Sequence, residues 1–202
     1  MMTKDWLAAR RSEVAADRIL DAAGELFAQR EVAGVGMHEI AKTAGCSRAT
    51  LYRYFENREA LHTAFVRRET YRLHDTIIEE ITGVEDPGER LVEGVVVGLR
   101  LVRNSPALSS WFSPSHPPLG VAIAEQDDVI KALTAAFLTS LGPDEPAVVG
   151  RRARWLVRVM TSLLVFPGED EADERAMVEE FVLPIVVAAG QSASSPEFDP
   201  VH

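Results

Sequence analysis

The sequence predicts an all-α protein, and three observations carry that prediction. Apolar residues recur at helical spacing through every long stretch. Clusters of Gly and Pro separate those stretches, at 83–88, 142–146 and 167–168. Neither strict alternation nor a hairpin turn signal appears. The pattern gives about nine helices in two domains.

Composition narrows the class. A chain of 202 residues suffices for one large or two small domains with ample core. The N-terminus is charged and lacks the apolar stretch of a secretory signal, and no apolar run is long enough to span a bilayer. The single cysteine cannot form an internal disulfide, which fits a reducing cytoplasm. The net charge of -10 is unevenly spread. Through His74 there are twelve Lys/Arg against ten Asp/Glu; beyond it there are nine against twenty-one. A basic patch, not the average, meets phosphate, so the first third remains compatible with a nucleic acid.

Residues 1–13 are expected to be a flexible basic arm, with Arg10 and Arg11 as candidate phosphate contacts or simply solvated charges. Ala15 to Arg30 reads as an amphipathic helix burying Ile19, Ala23, Leu26 and Phe27. Gly36 starts the next helix as a modest N-cap. That helix carries Ile40, Ala41 and Ala44 on one stripe and stops at Gly45, where a left-handed residue commonly ends a helix. Ser47 caps a third, short helix. Leu51 and Phe55, four apart, share its inner face. Arg48, Thr50, Tyr52, Arg53 and Tyr54 remain as a donor-rich surface on an element too short to be core. Helix, tight glycine turn, helix is the helix-turn-helix pattern, whose second helix enters the major groove.

A long helix follows from Arg58 to about Glu80, anchored by Leu61, Phe65, Ile77, Ile78 and Ile81. Its length, roughly 35 Å at 1.5 Å per residue, suits a connector between a head and a body. Glu89 to Asn104 is apolar nearly all round, with Gly94 and Gly98 on one face for close approach by a helix or a ligand. Pro106 opens a short segment ending at Trp111-Phe112, and the prolines of residues 113–118 break the chain. One helix is expected over Val121–Leu141 and another over Ala147–Phe166. A last one runs from Glu171 to Ala189, kinked by Pro184. Residues 190–202 are Ser/Pro-rich and read as a disordered tail.

The stretch IAKTAGCSRATLYRYFENREAL resembles the signature of the TetR/AcrR-type transcriptional regulators. Ile40-Ala41, Ala44-Gly45, Ser47, Thr50-Leu51-Tyr52, Tyr54-Phe55 and Arg58-Glu59 before Leu61 stand at matching spacing. The resemblance covers about Arg18 to Leu61, with Glu31 where the family usually has Gly. It implies an N-terminal three-helix helix-turn-helix domain at 14–60 and a C-terminal helical domain at 61–189 for effector binding and dimerisation. It also implies a homodimer through the last two long helices, a pseudo-palindromic double-stranded operator, and release by a small hydrophobic effector, most simply as a repressor.

The candidate DNA contacts are His38, Ser47, Arg48, Ala49, Thr50, Tyr52, Arg53, Tyr54 and Arg58. Arg48 can donate twice to guanine O6 and N7. Thr50 suits a phosphate or a thymine methyl, and Tyr52 and Tyr54 resemble the family's backbone-contacting positions. Arg58 opens the long helix, where a phosphate also meets free backbone N–H groups. Candidate effector-lining residues are Arg100, Arg103, Trp111, Phe112, His116, Phe137, Trp155 and Met160, since pockets between helices are apolar with a few polar fixtures. Plain core packing is the alternative for each aromatic. Cys46 reads as a small buried hydrophobe rather than a sensor thiol. Arg151, Arg152, Arg154 and Arg158 are expected to pair with the acidic run Glu169–Glu174 or with a partner subunit.

No histidine, cysteine and carboxylate grouping has metal-ligand spacing, and no nucleophile motif or phosphate loop appears. The expected protein is therefore neither an enzyme nor dependent on a cofactor. The competing class is a small-molecule-binding or scaffolding protein of the same fold that no longer reads DNA.

Overall fold

The computed structural model describes the backbone of residues 5–113 and 119–187, and the side chains of 12–113 and 119–186. Every element among these residues is helical. In chain order they are α1 Asp5–Phe27, α2 Met37–Thr43, α3 Arg48–Tyr54, α4 Arg58–Glu80, α5 Pro87–Asn104, α6 Pro106–Ser109, α7 Leu119–Gln126, α8 Asp128–Leu141, α9 Pro146–Val165, α10 Glu171–Met177 and α11 Leu183–Val187. Short 3-10 turns occupy Val32–Gly34 and Ser110–Phe112.

The chain forms two compact units. The first comprises Met1–Leu73 and Arg100–Ile123; the second comprises His74–Leu99 and Ala124–His202. The dividing points fall inside α4, α5 and α7, whereas the motif places a boundary at 60/61.

The first unit is built on aromatic packing. Ile19, Leu20, Ala23 and Phe27 of α1, Ile40 and Ala41 of α2, Leu51 of α3 and Leu61 and Phe65 of α4 are all buried in one core. Trp111 joins them, 2% exposed. Its ring lies edge-on to Phe27 at 5.3 Å and to His62 at 5.0 Å, and stacks on Phe65 at 5.9 Å. Such pairs contribute about 0.5–1.5 kcal/mol each beyond their buried area. Arg68 ties α4 to α1, donating from Nη1 to the Asp17 carbonyl at 3.1 Å and to Asp21 Oδ1 at 2.9 Å.

The second unit has an aliphatic core of Leu91, Val92, Val95, Val96 and Leu99 from α5, with Leu138, Val149, Ala153, Leu156, Val178, Val182 and Val186. Glycines on α5 permit the packing. A Cβ at Gly94 would stand 2.7 Å from the Phe137 ring, and one at Gly98 would stand 3.0 Å from the Met160 methyl. Arg175 Nη2 donates to Glu93 Oε1 at 2.5 Å, joining α10 to α5.

Several sequence expectations differ from the structure. The first helix begins at Asp5, ten residues before Ala15, so residues 5–13 form its opening turns and not an arm. It ends at Phe27, three residues early. The Val121–Leu141 stretch is two helices, because the Asp127 carboxylate accepts from the Val129 and Ile130 N–H groups at 2.8 and 3.3 Å and caps a fresh start. The last helix widens to a π-turn over Val178–Val182 just before Pro184, with the Leu183 N–H bonded to the Val178 carbonyl. That spreads the turn where the proline ring would otherwise crowd a carbonyl. Two members of the arginine cluster pair within the chain, and not with the acidic run. Arg152 bonds Asp144 and Arg158 bonds Glu125 at 2.6 Å. The acidic run serves backbone instead. Asp170 caps α10 through the Asp173 N–H, Glu174 accepts from the Gly168 N–H at 2.9 Å, and Asp173 accepts from the Glu169 N–H at 3.0 Å. The expected tail at 190–202 lies outside the described residues.

Candidate nucleic-acid interface

The site is built from the α2–turn–α3 segment. Gly36 caps α2, and its N–H donates to Glu39 Oε2 at 3.0 Å, the acidic half of a capping box. Glu39 is also held by Arg30, whose Nη2 lies 2.7 Å from Oε1. The Arg30 hydrogen bond and then the Gly36 N–H keep the Glu39 carboxyl below its usual pKa. Periodicity alone gives no sign of this Arg30–Glu39 brace, because the two residues lie nine apart and on different elements.

α2 ends where Gly45 adopts φ +68°. The Cys46 N–H then reaches back to the Ala41 carbonyl at 2.9 Å, and the Gly45 N–H to Lys42 at 3.1 Å. Only glycine holds that φ without steric cost, so this one residue sets the angle between the helices. Cys46 is half-buried.

Ser47 starts α3. Its Oγ accepts from the Thr50 N–H at 3.0 Å and lies 2.9 Å from Thr50 Oγ1. The cap keeps both hydroxyls on the outer surface of the first turn. Leu51 is fully buried and Phe55 is 6% exposed, so the helix is pinned by one side. Arg48, Ala49, Tyr52 and Arg53 are exposed; Thr50 and Tyr54 are half-buried. The Arg53 guanidinium carbon sits 5.2 Å from the Tyr54 ring centre, a cation–π contact that stiffens this face. His38 is exposed in the first turn of α2. Eight of the nine predicted DNA-contact residues therefore carry solvent-facing or half-buried groups on α2, α3 and the Ser47 cap between them.

Arg58 differs from them. Its Nη2 donates to the Val32 and Ala33 carbonyls at 2.6 and 2.8 Å, and its Nε lies 3.4 Å from His62 Nε2. It holds the turn that precedes α2, and only part of its guanidinium remains for phosphate. His62, one helical turn on, is 7% exposed. Burial, followed by the nearby Arg58 charge, pushes its pKa down to about 4, so it is neutral in the folded state. The sequence reading missed His62. Its position four residues after Arg58 was the available signal, but its partners Phe27 and Trp111 are far away in sequence.

The expected effector-lining residues are distributed over both units. Trp111 and Phe112 pack with the first unit's core, whereas Phe137, Trp155 and Met160 pack with the second unit's. Arg100 and Arg103 fall in the part of α5 that belongs to the first unit. His116 lies outside the described residues.

Comparison with known proteins agrees with this geometry. Residues 19–65 match the model for bacterial regulatory proteins of the tetR family. An HTH-type transcriptional regulator of Mycobacterium tuberculosis is 61% identical over 193 residues, covering 96% of each chain. The chain belongs to the tetR family. The matched segment of this TetR-family transcriptional regulator runs from the first buried residue of α1 to Phe65, which spans the whole interface described above. The crystal structure of the TetR family repressor AlkX from Dietzia sp., implicated in biodegradation of n-alkanes, matches with a TM-score of 0.63 at 25% identity, over 84% of this chain and 93% of that one. Thermus thermophilus FadR, solved with lauroyl-CoA, shares the fold with a TM-score of 0.59 at 20% identity, over 93% of this chain and 100% of that one. Among the described residues no helix is long and apolar enough to cross a membrane.

Proposed function

We propose that this regulator is a cytoplasmic repressor that binds a pseudo-palindromic operator as a homodimer and leaves it when a small hydrophobic effector binds. The observation that carries the reading is α3 itself. Its Leu51–Phe55 side is buried, and Arg48, Ala49, Tyr52 and Arg53 face outward. In this reading Arg48 reads guanine in the major groove. Ser47, Thr50, Tyr52 and Tyr54 fix the register on phosphates, with His38 and Arg53 beside them.

Exposed apolar residues support dimerisation through the last helices. Phe166 is 72% exposed at the end of α9, and Phe181 and Ile185, four apart, are 58% and 52% exposed. Groups of this size left in water mark an interaction face. A two-fold pairing would set two copies of α3 one DNA turn apart. The named link between the AlkX repressor and n-alkane degradation supports an apolar effector. The aliphatic core of the second unit, with Phe137, Trp155 and Met160 at its margin, is the region suited to such a molecule. An effector can move the equilibrium only by its difference in affinity for the two conformations.

The test is fluorescence anisotropy with DNA from upstream of the gene, at fixed salt. Parent protein should bind one fragment specifically, and Arg48→Ala should lose about 1–3 kcal/mol of discrimination while keeping non-specific affinity. Indifference of the parent to every such fragment would instead favour a binding or scaffolding protein of the same fold.

A further inference from the structure

Cations are scarce in the second unit and they are gathered. That unit holds seven Lys/Arg against twenty-one Asp/Glu. Three of the seven, Lys131, Arg154 and Arg158, line one small open cleft, of about 20 Å³, formed by the end of α7, α8 and α9. Ala124, Val157 and Glu125 complete it. Ala124 and Val157 are each 6% exposed and make an apolar floor under a charged rim.

The internal partners of these cations are weak or absent. Arg158 Nε bonds Glu125 Oε1 at 2.6 Å, but both side chains are largely in water, at 67% and 45% exposed. Lys131 Nζ is 3.3 Å from the Gln126 carbonyl and 3.4 Å from Asp128 Oδ1, at the long end of hydrogen bonding. Arg154 makes no ion pair with any described residue, although the unit carries a threefold excess of carboxylates. An exposed pair such as Arg158–Glu125 contributes little to stability, so its guanidinium is readily exchanged to another anion. Like charges converging over a low-dielectric floor focus a positive potential there.

We propose that the α7–α8–α9 cleft binds the oxyanion group of a small molecule, a carboxylate or a phosphate. Arg154 and Arg158 supply planar donor forks, Lys131 supplies a point charge, and the Ala124–Val157 floor takes the carbon attached to the anion. Glu125 is the resident competitor that the ligand displaces from Arg158. This site goes beyond the operator reading and does not depend on it.

Isothermal titration of the full chain with inorganic phosphate and with butyrate, at constant ionic strength set by chloride, tests the site. At least one should bind saturably, and the preferred probe tells a phosphorylated ligand from a carboxylic acid. Lys131→Met with Arg154→Met should weaken binding by about tenfold or more, and Glu125→Gln should tighten it. Unchanged melting temperatures would show that these surface variants fold. Absence of saturable heat with both probes would overturn the proposal, as would equal binding by the double variant. A parent without anion binding, whose double variant sediments as a smaller species, would assign the cleft to a carboxylate of a second copy and would overturn it too. The titration uses no DNA, so its failure leaves the operator reading standing, and failure of operator binding leaves this site standing.

Discussion

The two units solve the same packing problem with different chemistry. The first holds fourteen Lys/Arg against ten Asp/Glu and packs rings: Phe27, His62, Phe65 and Trp111. The second holds seven against twenty-one and packs branched aliphatics around the glycines of α5. α3 has only seven residues and buries just Leu51 along its length, so it cannot hold itself in place. The aromatic core behind it supplies the fixed position that the proposed base reading needs. The second unit carries most of the acidic charge, and the flexible side chain of Met160 packs against its core.

Substitutions that attack one core and spare the other break this comparison most directly. The largest effect should come from Trp111→Ala, which removes a ring touching three others. It should cost about 3–5 kcal/mol in the first unit's unfolding, seen by denaturant melts, and it should abolish operator binding. A loss below about 1 kcal/mol would mean that the ring cluster does not support the interface.

Next comes acid. Folded His62 has a pKa of about 4, below the 6.5 of an unfolded histidine, so the unfolded chain takes up its proton first as pH falls. Its contribution is fully present above pH 6.5 and is lost toward pH 4, a change of at most about 3 kcal/mol. His62→Phe should flatten that slope in melts across the window, and a slope unchanged by the substitution would remove His62 as its source. For the second unit, Gly94→Ala places a methyl against the Phe137 ring and should destabilise by about 1–3 kcal/mol while leaving DNA affinity of the surviving folded protein unchanged. The smallest effect is expected at the cap. Ser47→Ala removes the Thr50 N–H acceptor, costing about 1 kcal/mol of stability and weakening every operator alike.

The recognition segment was legible because its signals are local. Gly45 and Ser47 mark the turn and the cap, and Leu51 and Phe55 fall on one face within a single stretch. α4 was legible to the residue at both ends, with a break before Arg58 and a glycine turn after Glu80. The start of α1 was not, since no Pro or Gly lies between Asp5 and Ala15 to stop a helix from extending. The break at Asp127 carried a readable cap signal that the strong apolar period on either side concealed. The partners of Trp111 were not legible, because Phe27, His62 and Phe65 lie far from it in sequence.

The sequence by itself determined the helical class, the helix-turn-helix and the outward residues of α3, because periodicity, capping and glycine's φ act over a few residues. Tertiary structure alone decided that Trp111 joins the core of the unit that carries α3, that Arg58 braces the Val32–Ala33 turn, and that three scattered cations share one cleft. Those outcomes depend on contacts between residues tens of positions apart, which no local pattern encodes.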